Sequence, residues 1–142
     1  MEKFINSNIV KILRYILIFP ASFLLSWLAS IILKLMFVTS LLPYNNLVIF
    51  INILVGGFIA NGFIFVAGGA TIAPNYKKFV SIVLSFFIII LYSFNFILFF
   101  IDSNQSFYND ILLKWEVVLK DIASIIGALY AIHYIWNEEN NY

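Results

Sequence analysis

The chain contains no cysteine, which excludes disulfides and thiolate metal sites and leaves the redox compartment unmarked. Its only histidine is His133. Charge is also scarce. Eight Lys/Arg and seven Asp/Glu make up 11% of the residues, against roughly 25% in a soluble domain, whose surface must be wetted. So few charges cannot wet a globule of 142 residues. A net charge of +1 supplies no basic footprint for nucleic acid. No G-x-S-x-G, H-E-x-x-H or P-loop string occurs.

Apolar residues take up the space that charge leaves: 63% of the chain is hydrophobic and the mean hydropathy is +1.02. Such a majority must face lipid or other helices, so the expected class is an all-α, multi-pass membrane protein forming one domain over residues 1–142. Its lipid surface implies membrane lipids as partners. A composition rich in Asn, Ile, Lys and Phe fits an AT-rich bacterial genome, and hence a bacterial cytoplasmic (inner) membrane.

A spanning helix needs about 20 mostly apolar residues. Four such stretches are predicted, over about 13–37, 47–69, 79–101 and 111–136. Ser7 or Asn8 can cap the start of the first, Pro20 is expected to kink it gently, and Lys34 can snorkel to the headgroups. The first stretch is too long for a cleaved signal segment and lacks an A-x-A-like site, so it is expected to be retained. The fourth begins after Asp110, a plausible cap. Lys114, Glu116, Lys120 and Asp121 occupy its first turns, which allows the alternative of a helix resting partly on the membrane surface.

Four spans place both termini and the second loop on one side. That side carries Lys3, Lys11, Arg14, Lys77 and Lys78, while the other has only Lys34, Lys114 and Lys120, all at helix ends. The positive-inside rule therefore predicts an N-in, C-in topology.

Placing residues at 100° intervals sorts the polar and small ones onto faces. Gly57, Asn61 and Gly68 fall within about 40° of one another, with Gly56, Ala60 and Ala67 on the adjoining arc; together they predict a flat packing face or a constriction. Ser22, Ser26 and Ser30 recur at i+4 on the first helix. Ser81, Ser85, Tyr92 and Asn95 share an arc of the third. Asn95 needs a partner in hydrocarbon, expected to be Asn61 or a serine. Glu116 and Lys120 have the favourable i, i+4 order for an ion pair. Asp121 is the leading ionisable candidate at membrane depth, with headgroup-depth hydration as the plainer reading.

His133 is expected at an aromatic belt with Tyr130, Tyr134 and Trp136. It cannot pair with Asp121, since twelve residues of helix separate the two by about 18 Å. In the connector Gly68–Lys78 the two glycines are expected to loosen the helix end. Pro74 should stop that helix at Ala73, and Asn75 should cap the next one, leaving Pro74, Lys77 and Lys78 as a tight hairpin able to dock a cytoplasmic partner.

These patterns give no catalytic pair, cofactor site or metal site, and an enzyme is not expected. Two readings remain. One is a homo-oligomeric, pore-like or membrane-perturbing component in which Ser22, Ser26, Ser30, Asn61, Ser81, Ser85, Asn95 and Asp121 line a polar path. The other is a non-catalytic accessory or scaffold subunit of a larger membrane complex, in which the same residues bind helix to helix.

Overall fold

Long apolar runs can satisfy their backbone in lipid only as helices, and each of the four runs is helical. The computed structural model describes residues 8–39, 46–101 and 114–140. The first helix, α1 (Asn8–Thr39), continues through Pro20. The second membrane helix is composite: α2 (Asn46–Val55), a π-helical segment π1 (Gly56–Ile64) and α3 (Phe65–Ile72) follow one another without a break. Then come α4 (Lys77–Ile101) and α5 (Lys114–Asn140). The Ser7 and Asp110 caps, the turn at Pro43 and the loop from Asp102 lie outside the described residues.

Four helical stretches are long and apolar enough to cross a bilayer: Val10–Met36, Leu47–Ile72, Lys77–Leu98 and Glu116–Glu138. The shortest has 22 residues, about 33 Å of helix against a hydrocarbon core of about 30 Å. The composite helix sits centrally, with α1 on π1 and α3, and α4 on α3. Helix α5 packs on α4 and, most extensively, on π1. Helices α1 and α4 share no extended backbone contact. They meet through rings instead: Phe19 and Phe87 pack edge to face at 4.7 Å, and Phe23 and Phe87 at 6.4 Å.

The π winding corrects the single flat face expected from 100° spacing. Its bonds run i→i+5, so each residue turns by roughly 80°, and Gly57 and Gly62 fall roughly 50° apart instead of about 140°. Both glycines consequently face α5. A Cβ on Gly57 would stand 2.8 Å from the Lys120 carbonyl oxygen and 3.0 Å from the Ala123 Cβ. One on Gly62 would stand 2.8 Å from the Ala128 nitrogen and 2.9 Å from the Gly127 Cα. Gly127 returns the contact, with no room for a Cβ against the Phe58 carbonyl. Gly68 instead lies against Leu25 of α1, and Gly56 meets nothing within 4 Å. Ala60 and Ala67 are buried.

The end of α3 also differs from expectation. Gly68 and Gly69 do not loosen it; Gly69 is wedged against Ser22 and Leu84, and the helix runs on to Ile72. Pro74 then acts as expected, since Ala73 is extended (φ −60°, ψ 130°). The next helix starts one residue later than an Asn75 cap requires. The Tyr76 carbonyl accepts the first bond, from the Val80 N–H at 3.0 Å, and Tyr76 itself is left-handed with φ 57°.

Candidate functional site, a polar vestibule between the helices

Polar side chains in a bilayer must find partners or water, and here they divide by what they face. One group is closed upon protein. Ser22 donates to the Ile18 carbonyl at 2.7 Å and Ser81 to the Lys78 carbonyl at 2.7 Å. Ser85 crosses from α4 to donate to the Ala128 carbonyl at 3.1 Å. The amide of Asn95 donates to the Asp121 carboxylate at 2.8 Å. Asn95 thus takes an acid as partner, not Asn61 or a serine. Next to this pair Ser124 donates to the Lys120 carbonyl at 2.8 Å. With Asp121 only 2% exposed, the reading of a hydrated, headgroup-level carboxylate does not describe its surroundings within the bundle.

The second group faces empty space. An outer chamber of about 260 Å³ is bordered by Ser30 and Lys34 of α1, Asn52 of α2, Gly56, Gly57 and Asn61 of π1, and Glu116 and Lys120 of α5. Glu116 and Lys120 do not close the ion pair that their spacing favours; both border this chamber. An inner chamber of about 230 Å³ lies deeper, between α1 and α4, with Phe23, Ser26, Trp27, Phe87, Leu91 and Tyr92 among its walls and Phe65 of α3 beneath. Ser30 and Asn61 border both chambers. The Ser30 hydroxyl has its shorter bond to the Ser26 carbonyl, 3.0 Å, and lies 3.5 Å from the Asn61 Oδ1. Ser30 and Asn61 are therefore the polar residues common to both walls.

No protein family, curated protein or solved structure matches this chain. Its chemistry must be read from the residues themselves. Among the described residues no three His, Asp or Glu side chains stand together as metal ligands would. His133 accepts or donates a 3.0 Å bond with Asn137 on the exposed end of α5.

The eight expected polar-path residues therefore separate. Ser26, Ser30 and Asn61 border the chambers, whereas Ser22, Ser81, Ser85, Asn95 and Asp121 spend their bonds on protein. Of the packing face, Gly56 and Gly57 also form part of the outer wall. In the hairpin, Lys77 and Lys78 are half-buried and the Lys78 ammonium stands 6.0 Å from the Trp136 ring centre. The residues that sequence reasoning missed are Asn52, Gly62 and Gly127. An amide interrupting the run Leu47–Val55 was the available signal for Asn52; the glycines needed the π phase.

Proposed function

We propose that this chain is a non-enzymatic, pore-like membrane component that admits water and a polar group part-way into the bilayer through a one-sided vestibule. The observation that carries the reading is the pair of chambers that share Ser30 and Asn61 in their walls. Their polar mouth lies toward the end of the bundle that holds Lys34, Asn52 and Glu116. Their inner end rests on Phe65, Phe87 and Ile88, rings and branched chains packed against one another. Below them the core of Val66, Ala70, Leu84, Ala131 and Ile135 is buried and apolar. A single bundle therefore offers half a path, and the crossing of a whole membrane falls to several copies or to a partner. On the N-in, C-in topology the mouth faces away from the cytoplasm.

The absence of native cysteine makes the test direct. Single Ser30→Cys and Asn61→Cys variants should react with a charged, membrane-impermeant thiol reagent added on the mouth side only. Ser85→Cys, whose position is closed on protein, should stay unlabelled. Equal labelling at positions 30 and 85 would sink the vestibule, and labelling of position 30 from the termini side would reverse the proposed topology.

A further inference from the structure

We infer that the two chambers form a binding site for one anionic glycerophospholipid, its phosphate in the outer chamber and an acyl chain in the inner one. This rests on the vestibule reading and names its occupant. The first argument is the order of side chains down α1. Lys34, Ser30, Ser26 with Trp27, and Phe23 succeed one another over eleven residues, about 16 Å of helix axis. Cation, hydroxyl, hydroxyl with indole, and phenyl follow the same sequence as phosphate, glycerol ester and hydrocarbon in one leaflet.

The second argument is charge. Lys34 and Lys120 reach the outer chamber from opposite walls, and Glu116 offsets one of them. Among the described side chains that border it, two cations stand against one carboxylate, which suits the single negative charge of a phosphodiester, with the Asn52 and Asn61 amides and the Ser30 hydroxyl available to phosphate and ester oxygens. The third is access. The inner chamber lies in the crevice between α1 and α4, which share no extended backbone contact. Its rim is turned outward, with Trp27 61%, Phe23 47% and Leu91 39% exposed. A chain can enter sideways from the bilayer. A free inorganic anion would leave this aromatic chamber unfilled. Either chamber alone is smaller than a usual small-molecule site of about 300–1,000 Å³, and the two together fall within that range.

The test is lipid retention. The full chain, placed in phosphatidylcholine nanodiscs containing a minor fraction of phosphatidylglycerol, is released and its retained lipids are counted by native mass spectrometry. One phosphatidylglycerol per subunit is expected, enriched about tenfold over its bulk share. The Lys34→Gln/Lys120→Gln variant should lose that enrichment. Lys11→Gln/Lys77→Gln, which removes the same charge from the other end, should keep it. Ser26→Leu, which leaves both cations and fills the chain's place, should lose it as well and guards against a misfolded double variant. Equal retention of the two lipids overturns the inference, as does a loss common to both double variants. Displacement of the lipid by millimolar inorganic phosphate would assign the site to a soluble anion and overturn it too. Thiol labelling of Ser30→Cys in pure phosphatidylcholine separates this failure from failure of the vestibule. Labelling without lipid enrichment leaves the vestibule standing, and labelling slowed by phosphatidylglycerol places lipid within it.

Discussion

Adding one methyl group at neighbouring glycines tests the π winding. At Gly62 the added Cβ would meet the Ser124 carbonyl, the Ala128 nitrogen at 2.8 Å and the Gly127 Cα at 2.9 Å. All three are backbone atoms, so no side chain can rotate away and α5 must move. At Gly57 the obstacles are the Lys120 carbonyl at 2.8 Å and the Ala123 Cβ at 3.0 Å. At Gly56 there is nothing within 4 Å. Overpacking a rigid contact costs about 1–3 kcal/mol. Gly62→Ala should fall at the upper end of that range because its neighbours are backbone on the helix that packs most extensively there. Gly57→Ala should fall near the middle. Gly56→Ala should lie within about 0.5 kcal/mol of the parent. Reversible unfolding of the purified chain in mixed micelles, followed by circular dichroism, measures the three differences. In an ordinary α-helix Gly57 and Gly62 lie about 140° apart and cannot both press on one neighbour. If only one of the two is intolerant, or if Gly56→Ala costs as much as Gly62→Ala, the π geometry is refuted.

Three further outcomes follow from individual bonds. Asn95→Leu leaves the buried Asp121 carboxylate without its amide donor and should cost about 1.5–3 kcal/mol, whereas Asp121→Asn keeps an acceptor and should cost less; the same unfolding assay ranks them, and the reverse order would count against the described pair. Ser85→Ala removes the donor to the Ala128 carbonyl between α4 and α5 and should cost about 1 kcal/mol, while leaving Ser30→Cys labelling unchanged. Tyr76 is 76% exposed on a left-handed backbone that costs an L-residue roughly 1–2 kcal/mol. Tyr76→Asn, better suited to that conformation, should raise stability by up to about 1 kcal/mol, and a loss would show that the ring is held by something its exposure does not reveal.

The four membrane-crossing helices were legible because a bilayer enforces a simple rule: each apolar run of sufficient length must satisfy its own backbone. Ala73 was legible for a similar reason, since a proline restricts the residue before it whatever surrounds them. The arrangement of small residues was not, because face assignment assumes a constant turn per residue. Once π1 inserts nine residues of wider winding, every later phase is offset. Gly68 then meets α1 while Gly57 meets α5. Asn95 was recognisable as needing a partner, but its choice of Asp121 over Asn61 depends on the crossing of α4 and α5, which nothing local encodes across a sequence separation of 26. Lys34, Glu116 and Lys120 each have a sufficient local explanation as charges at helix ends. Only their convergence from two helices makes a chamber.

How a half-deep vestibule could serve a full crossing depends on what lies beneath it. To extend the path within one bundle, Phe65 would have to leave Phe19, Phe23 and Phe87, with centroid separations of 6.1, 5.1 and 6.1 Å. Phe19 would also have to leave Phe87. Aromatic pairs contribute about 0.5–1.5 kcal/mol each beyond their burial, so parting four of them, before any hydration of Val66 or Ala70, costs roughly 2–6 kcal/mol. A trigger with that much differential binding energy could open a monomer, but an undisturbed monomer would stay closed. A ring of copies avoids the cost by routing the crossing between subunits, where α1 already presents an outward crevice. The oligomeric mass of the chain in nanodiscs therefore discriminates. A closed ring of defined number directs the search for flux to the α1 surfaces between copies. A strict monomer with a labelled vestibule and no ion flux leaves the half-path intact and assigns the remainder of the crossing to a partner in the native membrane.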